Sequence, residues 1–200
     1  MSSTGTATTA APKKHPRLPL AARMRLPANY LFILMAFLVN DGNFHWWALG
    51  LVALGSFIRI WSAGSLIKTT ELITTGPYAL SRNPLYLGTF IGGVGVAIFV
   101  HSLPLLIFFV VTFAICYGSQ VRWEEEVLQM EHGEQFREYM SRVGRFITWR
   151  WPGSQLRHAF SFARAVKNKE FAYQMFWLVM IIALISQQYL RSSGLGVARP

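Results

Sequence analysis

The sequence predicts an all-α, polytopic membrane protein with about five transmembrane helices. The chain of 200 residues suits one domain, and 52% of its residues are hydrophobic while only 14% are charged. Its mean hydropathy of +0.33 is too high for a soluble domain of this size. Long apolar runs recur along the chain, and the basic residues concentrate on one side of them. These three observations predict the fold class.

Five apolar runs are the candidate transmembrane helices. An α-helix rises about 1.5 Å per residue, so about 20 residues cross a hydrocarbon core of roughly 30 Å. The second, fourth and fifth runs reach that length, whereas the first and third reach it only if flanking residues join them. In chain order the runs cover residues 27–39, 44–66, 85–100, 103–121 and 171–190.

The composition divides the chain into three parts. Residues 1–26 are predicted to be a disordered basic arm, because small polar residues come first and lysine and arginine follow. Residues 27–152 hold four of the five apolar runs and form the membrane domain proper. In residues 153–200, we expect a basic helix on the membrane surface, over 155–169, and then the last transmembrane helix.

The fourth run is predicted to continue beyond the membrane. Apart from Pro104 near its start and Gly118, residues 103–131 contain no Gly or Pro, and His132 and Gly133 form a stop signal. Phe136 and Tyr139 follow at helical spacing, which predicts a short amphipathic helix. The fourth run is therefore expected to emerge into the cytosol, stop near Gly133 and be followed by a second, short helix.

The charges predict an orientation. The formal net charge is +10, and sixteen of the nineteen Lys and Arg residues fall on the face that holds the N-terminus. This positive-inside pattern predicts a multi-pass protein with its N-terminus and its site on the cytoplasmic side. It also accounts for the basic composition through anionic membrane lipid. Nucleic acid would require a basic face on a soluble domain, so no nucleic-acid partner is expected.

A compact polar and aromatic stretch, residues 76–88, stands where the third apolar run begins. Arg82 and Tyr86 are four residues apart and share a face if the helix starts near Asn83. Pro84 suits a first helical turn, where its missing N–H has no partner to lose. Lipid phosphate binding by arginine and an aromatic belt are the ordinary interpretations. The concentration of these residues at one membrane edge indicates a site instead.

Six of the nine acidic residues fall between residues 124 and 138. A solvated helix with internal pairs, such as Arg122 with Glu126, is the ordinary interpretation. A carboxylate so close to the bilayer, however, needs a cation, a hydrogen bond or a ligand. We therefore expect Glu124 or Glu125 to act in the same site as Arg82.

Three further patterns carry predictions. Gly88 and Gly92 have the GxxxG spacing, which favours close helix packing over a groove for a flat ligand. Arg59 lies inside the second apolar run and is expected to extend its guanidinium to the membrane boundary. The five histidines are scattered without metal-ligand spacing, so no metal site is expected.

Two separated motifs resemble the isoprenylcysteine carboxyl methyltransferases, and phospholipid N-methyltransferases carry a related pattern. Residues 70–78 and 81–88 resemble the cofactor motif of that family. The family's closing block is matched by Glu124, Glu125, Leu128, Gly133, Phe136, Tyr139 and residues 143–147. The resemblance covers about residues 60–150 and leaves the two ends of the chain outside.

The resemblance implies an integral-membrane enzyme that uses S-adenosylmethionine and has a cytosolic, C-terminal helical cofactor-binding region. Residues 27–152 would then be a membrane methyltransferase domain acting on a lipophilic acceptor. Arg82 and Glu125 would be catalytic residues beside the cofactor. The implied cofactor contacts are Thr70, Glu71, Leu72, Ile73, Tyr78, Asn83, Pro84, Leu85, Tyr86 and Glu124.

The chain also departs from the family pattern. Asn83 stands where the family usually has histidine, and Gly144 replaces a closing proline. Where eukaryotic members use an arginine for the prenylated substrate, a gapless match gives Gln120, with Arg122 nearby. These two residues are the substrate-binding candidates.

The chemistry leaves the acceptor open. A carboxylate acceptor is already ionised near neutral pH, whereas an amine needs a base, for which Glu125 is the candidate. We expect Arg82 and Glu124 to form a charged cradle for the cofactor. Isoprenylcysteine O-methylation is favoured over phospholipid (phosphatidylethanolamine) N-methylation. A sterol-reductase-type enzyme that uses NADPH and a non-enzymatic scaffold are the alternatives, and the oligomeric state stays open.

Overall fold

The computed structural model describes residues 15–67, 71–149, 151–157 and 160–193, and the regular secondary structure in these ranges is entirely helical. Short 3₁₀ turns cover Trp46–Ala48, Gly76–Ala79 and Gly153–Leu156. The α-helices are α1 (Leu20–Arg23), α2 (Arg25–Val39), α3 (Leu49–Ser65), α4 (Pro84–Phe99), α5 (Leu103–His132), α6 (Glu134–Arg142), α7 (Phe162–Lys167) and α8 (Glu170–Ser192).

Three helical segments in the described ranges are long and apolar enough to cross a membrane. They are Trp46–Ser65, which contains α3, together with α5 and α8. The other two expected spans, α2 and α4, are apolar but have only 15 and 16 residues. At 1.5 Å per residue these two helices are about 23 Å long, short of a full hydrocarbon core. The all-α membrane class is confirmed, and its two short spans are the first and third apolar runs.

Glycine allows α3 and α4 to pack closely. A Cβ atom on Gly88 would lie 2.6 Å from the backbone oxygen of Gly55, and one on Gly55 would lie 2.5 Å from that of Gly88. Real side chains do not tolerate such distances, so this contact requires glycine in both helices. The close packing predicted from the GxxxG spacing is confirmed.

An aromatic core joins α5 to its neighbours. Phe109 of α5 packs on Phe32 of α2 with ring centroids 4.8 Å apart, and it fills the space that Gly93 of α4 leaves open. Leu184 and Met180 of α8 are buried in the same cluster. The interior is therefore made by side chains from α2, α4, α5 and α8.

The structure gives Arg59 an acidic partner, Glu170 at the start of α8, which the sequence did not suggest. Its guanidinium forms two hydrogen bonds of 2.8 Å with Glu170 of α8, donates to the Thr89 hydroxyl at 2.6 Å, and lies 3.7 Å from the centroid of the Tyr173 ring. The two charged side chains are only 15% and 3% exposed. A carboxylate from a helix distant in the sequence thus compensates the charge that Arg59 carries within its apolar run.

Part of the predicted disordered arm is ordered. Residues 1–14 lie outside the described residues, but Leu20–Arg23 form a helix and Arg25 begins the next one. Ala22 is fully buried, and the Trp123 indole donates a 2.8 Å hydrogen bond to the Pro16 carbonyl. Contacts with α5 thus order residues whose composition alone favours disorder.

The predicted surface helix over 155–169 is also corrected. Of the described residues in that segment, only Phe162–Lys167 is α-helical, and this helix packs against the end of α3. The Asn168 amide donates to the carbonyls of Ala63 and Leu66 at 2.8 and 3.2 Å. The last carbonyls of a helix need such partners, so this segment caps α3.

Two substitutions within α4 test the contact between Gly55 and Gly88. Gly88→Ala places a methyl group against the α3 backbone, and we expect it to cost about 1–3 kcal/mol of stability. Gly92→Ala should be neutral or slightly stabilising, because a Cβ atom there meets nothing within 4 Å. Unfolding of the detergent-purified variants by added sodium dodecyl sulfate, followed by circular dichroism, measures both. Equal stability of the two variants would contradict the α3–α4 contact.

Candidate functional site

The start of α4 is built by the polar stretch found in the sequence. Gly76 adopts a positive φ of 63° and opens the 3₁₀ turn, and Pro84 stands in the first turn of α4. The Asn83 backbone N–H donates to the Ser81 hydroxyl at 3.1 Å, and its side-chain amide donates to the Arg145 carbonyl at 3.2 Å. The loop before α4 is thus fixed to the segment after α6.

The predicted helix stop at Gly133 and the short helix after it are confirmed, and α6 packs on this loop. Gly133 separates the two helices with a positive φ of 53°. Phe136 and Tyr139 of α6 are buried. The Tyr139 hydroxyl donates a 2.6 Å hydrogen bond to the Tyr78 carbonyl. Burial raises the pKa of Tyr139, so the phenol stays neutral and remains a donor.

One carboxylate holds two arginines at the centre of this arrangement. Both oxygens of Glu125 are engaged: Oε1 accepts from Arg82 at 2.9 Å, and Oε2 accepts from Arg145 at 2.6 Å. The remaining terminal nitrogen of Arg82 donates to the carbonyls of Val143 and Met140 at 2.9 and 3.3 Å. Hydrogen bonds to Glu125 raise the pKa of Arg145, which remains a cation. The cluster ties α5, α6 and the start of α4 together.

Beside this cluster lies a cavity of about 500 Å³. Its size lies within the range of small-molecule and cofactor sites. It has polar groups at one end and apolar and aromatic side chains around them. The lining residues are Arg25, Leu26, Asn29, Arg59, Leu66, Tyr78, Arg82, Asn83, Pro84, Leu85, Tyr86, Thr89, Tyr117, Glu124, Leu128 and Tyr173.

Glu124 is the acidic residue among the cavity's lining residues. Its Oε1 accepts hydrogen bonds from the Tyr86 hydroxyl at 2.6 Å and from the Gln120 amide at 2.9 Å. Its Oε2 has no hydrogen-bond partner among the described residues. A carboxylate oriented by two donors on one oxygen can therefore accept a ligand's N–H or O–H on the other.

Arg25 is the cation of the cavity with the most free donors. Its sole hydrogen bond to a described residue is a long one, 3.4 Å, to the Tyr86 hydroxyl. Arg82 and Arg59 also line the cavity, but their guanidinium groups bond to Glu125 and Glu170. Arg25 is therefore the guanidinium best placed to bind an anionic group in the cavity.

The structure places the site residues predicted from sequence in three groups. Glu71, Leu72 and Ile73 are not among the lining residues, and Leu72 packs against the buried face of α6. Thr70 lies outside the described residues. Those that line the cavity are Tyr78, Arg82, Asn83, Pro84, Leu85, Tyr86 and Glu124. The roles of all these residues stay predictions.

The remaining three predicted residues lie around the cavity rather than in its lining. Glu125 supports Arg82 from behind, and Gln120 is 4% exposed and orients Glu124. Arg122 lines a different groove, which it shares with Arg145. Arg122 and Glu126, the internal pair of the ordinary interpretation, form no ion pair in the described part of the chain.

Sequence reasoning missed several lining residues. Arg25 was assigned to a disordered arm, and Asn29 and Tyr117, which share a 2.7 Å hydrogen bond, lie in runs that hydropathy describes simply as apolar. Tyr173 comes from the last helix, outside the family motifs. A polar residue within an apolar run was the one available signal, because such residues face an interior in membrane helices.

Comparison with known proteins bears on the same region. Residues 43–135 match the family model of the phospholipid methyltransferases. The family resemblance inferred from sequence is thereby confirmed over this part of the chain. The matched region contains the loop before α4 together with Glu124 and Glu125 of α5, whereas Arg25, Arg145 and Tyr173 lie outside it.

Three relatives illustrate the range of similar proteins. The chain is 34% identical over 119 residues to the nickel-cobalt-cadmium resistance protein NccN of Alcaligenes xylosoxydans xylosoxydans, covering 56% of this chain and 55% of that protein. It is 31% identical over 123 residues to the cobalt-zinc-cadmium resistance protein CzcN of Cupriavidus metallidurans, covering 58% and 56%.

The third relative is an enzyme by name. The chain is 31% identical over 115 residues to the protein-S-isoprenylcysteine O-methyltransferase B of Arabidopsis thaliana, covering 50% of this chain and 58% of that protein. The chain thus spans little more than half the length of these relatives. No solved structure matches it.

The shared carboxylate predicts a local stability effect. Glu125→Ala leaves two guanidinium groups without their common partner, and we expect a loss of about 3 kcal/mol in unfolding free energy. Glu126→Ala, next to it and exposed, should change stability by less than about 0.5 kcal/mol. Detergent-based unfolding followed by circular dichroism compares them. Indistinguishable unfolding curves would mean that the cluster does not hold α5 and α6 against the start of α4.

Proposed function

We propose that the protein is an S-adenosylmethionine-dependent methyltransferase that modifies a lipophilic acceptor, most like an isoprenylcysteine carboxyl O-methyltransferase. One observation carries the proposal. The phospholipid methyltransferase match covers the loop before α4 and Glu124, and these elements line a cavity of ligand size. Because the cavity lies among membrane helices, a lipophilic acceptor would approach it from the bilayer.

The polar groups of the cavity fit the cofactor's chemistry. S-adenosylmethionine carries a carboxylate, an ammonium group and ribose hydroxyls. Arg25 supplies donors for the carboxylate, and the free Oε2 of Glu124 can accept from the ammonium or from a hydroxyl. Gln120 does not line the cavity; its amide N–H holds the Oε1 of Glu124 in place from behind.

The cofactor supplies a methyl group on a sulfonium, which an acceptor displaces in line. The protein's contribution is to hold the reactants in position and to exclude water. Four tyrosines line the cavity and give it aromatic walls: Tyr78, Tyr86, Tyr117 and Tyr173. No covalent enzyme intermediate and no metal are needed for this displacement.

Our proposal replaces one of the two residues that the sequence predicted for the charged cradle. Arg82 was expected to bind the cofactor carboxylate, but its guanidinium is bonded to Glu125, Met140 and Val143. We therefore assign Arg82 a positioning role and transfer the carboxylate contact to Arg25. Glu124 keeps the role predicted for it.

The arrangement of acids supports a carboxylate acceptor. An amine must lose a proton before it attacks, and this requires a free base. Both oxygens of Glu125 are taken by arginines, and Glu124 is engaged if it binds the cofactor. A carboxylate needs no base. Phospholipid N-methylation remains the second candidate, favoured by the description of the matching family.

The orientation belongs to the same proposal. Arg25, Arg82 and the basic residues of α6 and α7 lie toward one end of the bundle, and the positive-inside rule assigns that end to the cytoplasm. The N-terminus and the cavity would then face the cytoplasmic leaflet. The resistance named for two relatives concerns those proteins, and our proposal for this chain concerns methyl transfer alone.

Cofactor binding gives the first test. Isothermal titration of the purified protein with S-adenosylmethionine should show binding. Glu124→Gln and Arg25→Gln should each weaken it roughly 30-fold, because each loses a charge-assisted hydrogen bond of about 2 kcal/mol.

Matched controls are available for both variants. Glu126→Gln and Arg23→Gln are exposed neighbours of the same charge and should bind as the wild type does. If the wild type binds no S-adenosylmethionine, the enzyme proposal fails and a scaffold is favoured. Binding of NADPH instead would favour the reductase class.

The acceptor class gives the second test. Protein in detergent is incubated with methyl-labelled S-adenosylmethionine and either a prenylated cysteine with a free carboxylate or phosphatidylethanolamine. We expect label in the prenylated cysteine that mild base releases as methanol, because base hydrolyses a methyl ester. Base-stable label in phosphatidylethanolamine would instead establish N-methylation.

A further inference from the structure

A second cavity lies on the opposite side of the α4–α5 contact from the site. This α4–α5 groove has a volume of about 470 Å³. Its walls are apolar side chains of both helices, among them Phe90 and Phe113, and Ile147 borders it from the segment after α6. Arg122 and Arg145 also line it and form its charged mouth.

The groove is closed toward the cofactor cavity by a layer of rings. Phe113, which lines the groove, stacks on Tyr117, which lines the cavity, with centroids 4.5 Å apart and planes 13° apart. Tyr117 in turn packs edge-on against Tyr86 at 5.6 Å. A molecule in the groove is thus separated from the reaction site, so the groove is suited to an occupant that does not react.

The mouth of the groove carries an excess of positive charge. Arg82 and Arg145 share the single carboxylate of Glu125, which leaves one positive charge uncompensated in that cluster. Arg122 forms no ion pair with a described residue and is exposed. The Arg145 side chain is 45% exposed, and its second terminal nitrogen makes no hydrogen bond to a described residue. An anionic group at the mouth would satisfy both guanidinium groups.

The depth of the mouth matches the level of lipid headgroups. From Leu103, where α5 begins, to Arg122 the helix rises about 29 Å, which is about the thickness of a hydrocarbon core. Arg122 therefore lies where α5 leaves the apolar layer. The apolar part of the groove runs back along the helix into that layer.

We propose that the α4–α5 groove is a binding site for an anionic phospholipid, with its phosphate on Arg122 and Arg145 and one acyl chain along the apolar walls. Basic pockets between transmembrane helices are recognised by such headgroups. The proposal does not depend on methyltransferase activity, since the ring layer separates the two cavities.

Native mass spectrometry of the full-length protein in a neutral detergent tests this site. Phosphatidylglycerol and phosphatidylcholine with the same acyl chains are added, and the retained lipid is counted. The wild type should retain phosphatidylglycerol in preference to phosphatidylcholine. Arg122→Gln should lower phosphatidylglycerol retention about fivefold, equivalent to about 1 kcal/mol, and leave phosphatidylcholine unchanged.

A second variant fills the groove itself. A Cβ atom on Gly118, which lines the groove, meets nothing within 4 Å, so Gly118→Leu should fold normally and exclude the acyl chain. Gly50→Leu is the matched control, because Gly50 of α3 also faces open space but lies outside the groove. Arg142→Gln, an exposed cation of α6, controls for charge.

Three results would overturn the proposal. Unchanged retention in Arg122→Gln or in Gly118→Leu would remove the lipid from the groove. Displacement of phosphatidylglycerol by an equal concentration of inorganic phosphate would mean an anion site without a chain. Displacement by a prenylated cysteine that is then methylated would make the groove the acceptor site instead.

Discussion

The shared ion cluster of Glu125 with Arg82 and Arg145 is the interaction on which the rest of the site depends. It joins a residue before α4, a residue near the end of α5 and a residue beyond α6, and these three residues are far apart in the sequence. A buried carboxylate is costly unless cations and hydrogen bonds surround it, and here two guanidinium groups do so. The cluster holds the loop before α4 where it can line the cavity.

Some residues that line the cavity lie outside the region that the family model matches. Arg25 and Asn29 enter it from α2, and Tyr173 enters it from α8. The buried pair of Arg59 with Glu170 holds α8 against α3 and α4, so the last helix is part of the wall. The ends of the chain, which carry no family motif, thus contribute to the environment of the site.

The fold was largely predictable because its signals are local. Hydropathy gave the three full-length spans and identified the two short ones. The Gly133 stop predicted the end of α5, and the spacing of Phe136 and Tyr139 predicted the short helix α6. The errors concern segments whose state depends on distant partners. Residues 15–26 are ordered by contacts with α5, and residues 160–168 pack on the end of α3.

The sequence by itself determined the membrane class, the resemblance to the phospholipid methyltransferases over residues 43–135, and the short stretch that supplies Tyr78 to Tyr86. Hydropathy, helical spacing and motifs are properties of neighbouring residues, so one sequence is enough to specify them. The tertiary structure decided which charges are free. Arg82 and Arg59 are bound to carboxylates on other helices, whereas Arg25 and one oxygen of Glu124 face the cavity. That choice depends on distances between segments far apart in the chain, which no local pattern encodes.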